Sequence, residues 1–173
     1  MKALYLVRHA KSSWKYPQLD DFERPLNKRG RKNAPFMGRV LKKRDVLPDL
    51  VLSSPANRTT MTARIIAGKI GFPLEKIVYT ESIYCASSHI IIKQIKQVDN
   101  KVNKLMIVGH NPAITNLANT LGDKPVSNVP TSAIYCIDLN ISAWKKIKTG
   151  LGKPNFLNTP KNILHKKGAC IHQ

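Results

Sequence analysis

Short apolar runs alternate along this chain with longer segments whose apolar residues recur at helical spacing. Ala3-Leu-Tyr-Leu-Val7 is an unbroken apolar run between Lys2 and Arg8. That is the pattern of a strand buried on both faces. The polar, proline-containing stretch from Lys11 to Pro25 reads as loop. Asn27 can cap a helix over Lys28 to Lys43, with Ala34, Met37, Val40 and Leu41 on its apolar side. Pro48 breaks the chain before a short strand at Leu50-Val-Leu52, and a helix over Pro55 to Ile70 ends at Gly71. Ile77-Val-Tyr79, Leu105-Met-Ile-Val108 and Ala133 to Leu139 are further predicted strands. His89 to Val98 and Pro112 to Leu121 are further predicted helices. From Gly150 onward Pro, Gly, Asn and Lys are frequent, and this stretch is expected to wrap the surface. No repeat, linker or low-complexity boundary interrupts the alternation, so one domain over residues 1–173 is expected. Strands alternating with helices predict an α/β fold with a largely parallel sheet.

Composition narrows the function classes. The chain has 173 residues, 42% of them hydrophobic, enough to bury a continuous core. No apolar run approaches the ~20 residues of a membrane span. Arg8 and His9 cut the first apolar run too short for a signal peptide. A cytoplasmic protein without a membrane partner is expected. Cys85, Cys136 and Cys170 are too few and too widely spaced for a disulfide framework or zinc cluster, and read as reduced structural thiols. The formal net charge is +19. Such a surface can attract nucleic acid or an anionic substrate. The lysines are scattered and accompany no nucleic-acid-binding signature, so nucleic acid is not the expected partner.

The polar residues at strand ends carry more information. The first strand runs into Arg8-His9, the second into Ser53-Ser-Pro55 with Arg58 one turn on, and the strand at Leu105 into Gly109-His-Asn-Pro112. Ser54 and Asn111 can serve as N-caps, with Pro55 and Pro112 at the first helical position. Both turns would then aim free N–H groups and a helix dipole out of the sheet edge. In open α/β sheets ligands bind at the carboxyl ends of the strands. Two arginines and two histidines gathered there suit a tetrahedral dianion: guanidinium offers paired donors, and neutral imidazole can attack phosphorus. Taken singly, each also fits a bland role, a satisfied histidine or a solvated arginine. No cluster of acids and histidines calls for a metal, and no cofactor is expected.

Leu6-Val-Arg-His-Ala10, Ser53-Ser-Pro-Ala-Asn-Arg58 and Val108-Gly-His-Asn-Pro112 are similar to the three motifs of the histidine phosphatase superfamily. Arg8-His-Ala-Lys-Ser-Ser-Trp14, Asp21-Phe-Glu-Arg-Pro-Leu-Asn-Lys-Arg-Gly30 and Pro130-Thr-Ser-Ala133 resemble its SixA-type phosphohistidine phosphatase branch. The resemblance spans Leu4 to about Leu139. It implies a phosphoglycerate mutase-like, three-layer α/β/α sandwich around a mostly parallel sheet. It also implies a metal-independent, monomeric hydrolase in which His9 is the nucleophile and Arg8, Arg58 and His110 complete the phosphate pocket. Asn111 and Ser12 are added as candidate phosphate ligands, with Lys11, Ser12 and Ser13 at the entrance and Trp14 at the rim or in the core. Ala10 replaces a frequent glycine, as the SixA branch commonly allows, and Asn57 replaces a frequent leucine. Glu81 lies where mutases and ester phosphatases keep a proton donor; a solvated or capping role is the alternative, and the SixA-type segment lacks the usual acid. His89 is expected near a helix start, and His165 and His172 in the tail. The implied substrate is a phosphoprotein in signalling, such as a histidine-phosphotransfer domain. A small phosphorylated metabolite is the second reading, and a non-catalytic nucleic-acid-binding module the third.

Overall fold

The computed structural model describes residues 1–169. Six strands form one sheet in the order β3-β2-β4-β1-β5-β6. They are β1 (Lys2–Arg8), β2 (Leu50–Ser53), β3 (Val78–Tyr79), β4 (Lys104–Gly109), β5 (Ile134–Leu139) and β6 (Gly152–Asn158). The contiguous strands β3, β2, β4 and β1 run parallel, and β5 and β6 add antiparallel pairs. The helices are α1 (Lys28–Lys42), α2 (Asn57–Ile70), α3 (Ser88–Lys96), α4 (Ala113–Leu121) and α5 (Pro160–Ala169).

Alternation within the central strands builds two cores. Leu4 and Leu6 of β1 join Leu105 and Ile107 of β4 against Ile91 and Ile95 of α3 and Ile114 and Leu117 of α4. Tyr5 and Val7 join Met106 and Val108 against Met37 and Leu41 of α1 and Ala63, Ile66 and Ile70 of α2. The fold is therefore an α/β/α sandwich with the sheet in the middle. Each fully buried Leu or Ile contributes about 1.5–3 kcal/mol, so the central strands supply much of the stability. Asn27 caps α1 by accepting from the Gly30 N–H, and Gly71 ends α2 in the left-handed region at φ 81°.

Three local expectations are corrected. The stretch after Gly150 is regular: β6 hydrogen-bonds along β5, and α5 packs on α1. Its polar, proline-bearing sequence suits an edge strand, whose pairing supplies what side-chain pattern does not. Ser54 does not cap α2, which starts later with Ala56 at the cap position. Its hydroxyl accepts from the Ala56 N–H and pairs with His110. Asn111 is not the cap residue of α4 either, which begins at Ala113 after Pro112, although its Oδ1 accepts from the Thr115 N–H. Cys170 and His172 lie outside the described residues. Among those residues no helix is long and apolar enough to cross a membrane.

Candidate active site

The strand register levels the carboxyl ends of the parallel strands. Arg8 lies opposite Gly109, and Ser53 lies opposite both Val108 and Tyr79. His9, Ser54, Thr80 and His110, each the next residue, therefore leave the sheet at one edge. The His9 and His110 rings lie 5.3 Å apart between centroids. The backbone around His9 is pinned on several sides. Its N–H donates to the Gly109 carbonyl, the Ser132 N–H donates to the Arg8 and His9 carbonyls, and the Ala10 N–H donates to Thr62 Oγ1. Gly30 lets the first turn of α1 approach this loop, since a Cβ there would lie 2.2 Å from the Lys11 carbonyl oxygen.

His9 Nδ1 is 2.7 Å from the Ala10 carbonyl oxygen. A carbonyl only accepts, so Nδ1 carries the proton and Nε2 keeps the lone pair. Burial pushes the His9 pKa down to about 4, and the Arg58, Arg8 and Arg24 charges add to that, outweighing the Ala10 bond. His110 is pushed down to about 3, chiefly by burial and then by Arg58 and His9. Its Nε2 is 2.8 Å from Ser54 Oγ.

The arginines are held by a network that sequence reasoning missed. The Asp21 carboxylate accepts from Arg24 at 2.8 Å and from Arg58 at 2.9 Å, one oxygen to each. Arg58 also donates to the Asp21 carbonyl. Tyr84 donates its hydroxyl to Asp21 at 3.1 Å and sets its ring edgewise to His110. Arg24 is buried, with Nε on the Ser13 carbonyl and a second nitrogen on Ser12 Oγ. Burial would raise the Asp21 carboxyl, but the Arg58 hydrogen bond and charge, with help from Tyr84 and Arg24, hold it below the usual range. Asp21 and Arg24 lie in the Asp21 to Gly30 segment, yet in so basic a chain nothing marks one loop arginine. Tyr84 gave no signal.

Arg8 donates to the Val129 carbonyl at 3.0 Å, while its Nε is buried without a partner, as is His110 Nδ1. Arg8 Nε can only donate, so an acceptor is the group that fits it. Arg8, Arg24 and Arg58 against Asp21 leave two positive charges around neutral imidazoles, the complement of a dianion. Ser12 is buried on Arg24, and Asn111 spends its side chain on Asn128, Val129 and Thr115. Glu81, itself exposed, opens a 3₁₀ turn after β3 whose Ile83 is buried, and its backbone carbonyl accepts from the Tyr84 N–H. Asn57 donates to the Glu23 carbonyl. Trp14 is 76% exposed, and His89 sits in the first turn of α3.

Comparison with known proteins decides the family. Residues 4–79 match the histidine phosphatase superfamily (branch 1). An uncharacterized protein of Mycobacterium leprae is 33% identical over 156 residues, 82% of this chain and 92% of its own length. The chain belongs to the histidine phosphatase superfamily. An uncharacterized chloroplast protein of Arabidopsis thaliana is 32% identical over 130 residues, 69% of this chain, and that match spans 59% of the plant protein. The structure of an Agrobacterium tumefaciens protein designated SixA phosphohistidine phosphatase superposes with a TM-score of 0.77 at 29% identity, covering 92% of this chain and 98% of the other. This superfamily member thus falls with the SixA-type branch, as its Arg8 to Trp14 and Asp21 to Gly30 segments imply.

Two partly buried, neutral histidines make acid sensitivity predictable. An unfolded histidine titrates near ~6.5, so between about pH 6.5 and pH 4 the unfolded chain binds more protons than the folded one. Stability therefore falls as pH drops through that window, by roughly 2–4 kcal/mol between pH 7 and 4.5 once screening is allowed for. Histidine NMR titration should find both rings neutral at pH 5.5. Rings titrating near 6.5 would contradict the burial argument.

Proposed function

We propose that this protein hydrolyses phosphohistidine on a protein through a covalent phospho-His9 intermediate. The observation that carries this reading is the His9 Nδ1 contact with the Ala10 carbonyl, which leaves a lone pair on Nε2 among Arg8, Arg58 and His110. Nε2 attacks phosphorus, the new N–P bond forms, and the bond to the substrate imidazole breaks. Water then attacks phospho-His9, releasing phosphate and restoring neutral His9. The transferring group spreads its charge over three oxygens, so fixed donors on Arg8, Arg58 and His110 stabilise it in both steps. Ser12 and Asn111 act here as holders, of Arg24 and of the 128–129 loop.

The leaving group selects the substrate. An alkoxide needs a proton as it departs, whereas a phosphohistidine imidazole protonated on its distal nitrogen leaves neutral. Asp21 is the carboxylate bonded to the site, and Arg58 and Arg24 hold it ionised, so it has no proton to give. Glu81 is exposed in the turn beyond. A panel of phosphohistidine peptide, 3-phosphoglycerate and an aryl phosphate tests this. We expect kcat/KM for phosphohistidine to exceed that for 3-phosphoglycerate by about 10² or more, the worth of a missing general acid. Glu81→Gln should change phosphohistidine turnover by less than about tenfold. A drop of several hundredfold, or a preference for 3-phosphoglycerate, would make Glu81 the proton donor and the protein a small-molecule phosphatase.

A further inference from the structure

Beside the entrance lies a basic face that the chemistry at His9 does not use. A groove of about 1070 Å³ runs between the loop after β1, the start of α1 and the start of α5. It begins at Lys11, two residues beyond the nucleophile. Seven lysines and arginines line it, among them Lys15, Arg29, Lys32 and Lys161, and no carboxylate does. Among the described residues both ion pairs are made by Asp21, so none of these seven is in an ion pair, although Arg31 donates to the Leu26 carbonyl. The groove also presents apolar surface to solvent. Trp14 is 76% exposed, Tyr16 47% and Leu164 55%. Buried Arg24 stacks 3.4 Å from the centroid of the Trp14 ring, which fixes one face of that ring and leaves the side chain on the rim.

We propose that this groove docks an acidic, amphipathic helix of the phosphorylated protein substrate. Its carboxylates would meet the lysines and arginines, and its apolar side chains Trp14, Tyr16 and Leu164. The inference rests on the phosphohistidine reading and adds how the protein bearing the phosphoryl group is held. Unpaired charge of one sign recruits the opposite sign and sets its orientation. Exposed apolar side chains between those charges match the anchor pattern of a helix laid in a groove. Nucleic acid would also favour the charge and the aromatic rings, but aliphatic Leu164 of α5 offers a seat for a side chain rather than a stacking plane for a base. A helix here runs alongside the His9 entrance, where its protein's phosphohistidine must arrive.

The test uses the full chain and the triple variant Arg29→Glu/Lys32→Glu/Lys161→Glu, three exposed positions outside the catalytic network. Substrates are an acidic helical phosphotransfer domain carrying phosphohistidine, a short uncharged phosphohistidine peptide, and p-nitrophenyl phosphate. For the domain, the variant should raise KM at least tenfold with kcat nearly unchanged, and added salt should shrink the difference. Turnover of the peptide and the aryl phosphate should change less than twofold. Binding is read separately from Trp14 fluorescence, since Trp144 is fully buried. The unphosphorylated domain should quench it in the wild type and bind at least tenfold more weakly to the variant. If neither phosphohistidine substrate is turned over but this binding difference holds, the substrate reading fails and the docking surface stands. If both are turned over and neither KM nor binding responds to the variant, the docking surface is overturned and the substrate reading stands. Tighter binding of a single-stranded oligonucleotide than of the domain would also overturn it, in favour of nucleic acid.

Discussion

His9→Ala should lose turnover of phosphohistidine and aryl phosphate by at least about 10⁴-fold if His9 is the nucleophile we propose, because its removal leaves only binding and electrostatic stabilisation. The substitution tests chemistry rather than folding. The side chain bonds to its own neighbour's carbonyl, whereas the loop is held by backbone bonds to Gly109, Ser132 and Thr62 that alanine keeps. The variant should therefore melt near the wild-type temperature. With radiolabelled phosphoryl donor, the wild type should trap label that is stable in base and lost in acid, as a phosphoramidate is, and the variant should trap none. Wild-type-like turnover in the variant would end the covalent mechanism. Label that survives acid would place the phosphoryl group on a hydroxyl instead.

Arg58→Ala should cost about 10²–10³ in kcat, the usual loss on removing one preorganised donor from a developing oxyanion. A second effect comes from Asp21. Arg58 supplies one of the two guanidiniums that neutralise this carboxylate. Without it Asp21 keeps only Arg24 and repels the incoming dianion, so KM should rise as well. Asp21→Asn in the Arg58→Ala background should then recover part of the KM loss but not the kcat loss. Arg58→Lys should recover little, since an ammonium cannot reach both Asp21 oxygen acceptors and phosphate with the planar fork of arginine. Steady-state kinetics with an aryl phosphate separates the two parameters. Simple addition of the Arg58 and Asp21 single-variant effects would show that the pair is not coupled, contrary to the geometry.

Much of this molecule follows from local sequence. The five apolar residues of Ala3 to Val7 need two covered faces, and they become the strand between β4 and β5. Asn27 and Gly71 bound helices because each satisfies orphan backbone groups within a few residues of itself. The parallel order puts Arg8-His9, Ser54 and Gly109-His110 at one sheet edge, which strand-end position alone could anticipate. Long-range contact decided the rest. β6 carries little strand pattern of its own and forms because β5 offers it a ladder of hydrogen bonds. Ser54 reads as a helix cap until His110, 56 residues away, claims its hydroxyl. Asp21 joins Arg58 across 37 residues and Tyr84 across 63. Periodicity reports which residues must leave water, because burial is a property of each side chain. Hydrogen bonds between distant charged groups depend on where folding sets both partners, and no spacing along the chain encodes that.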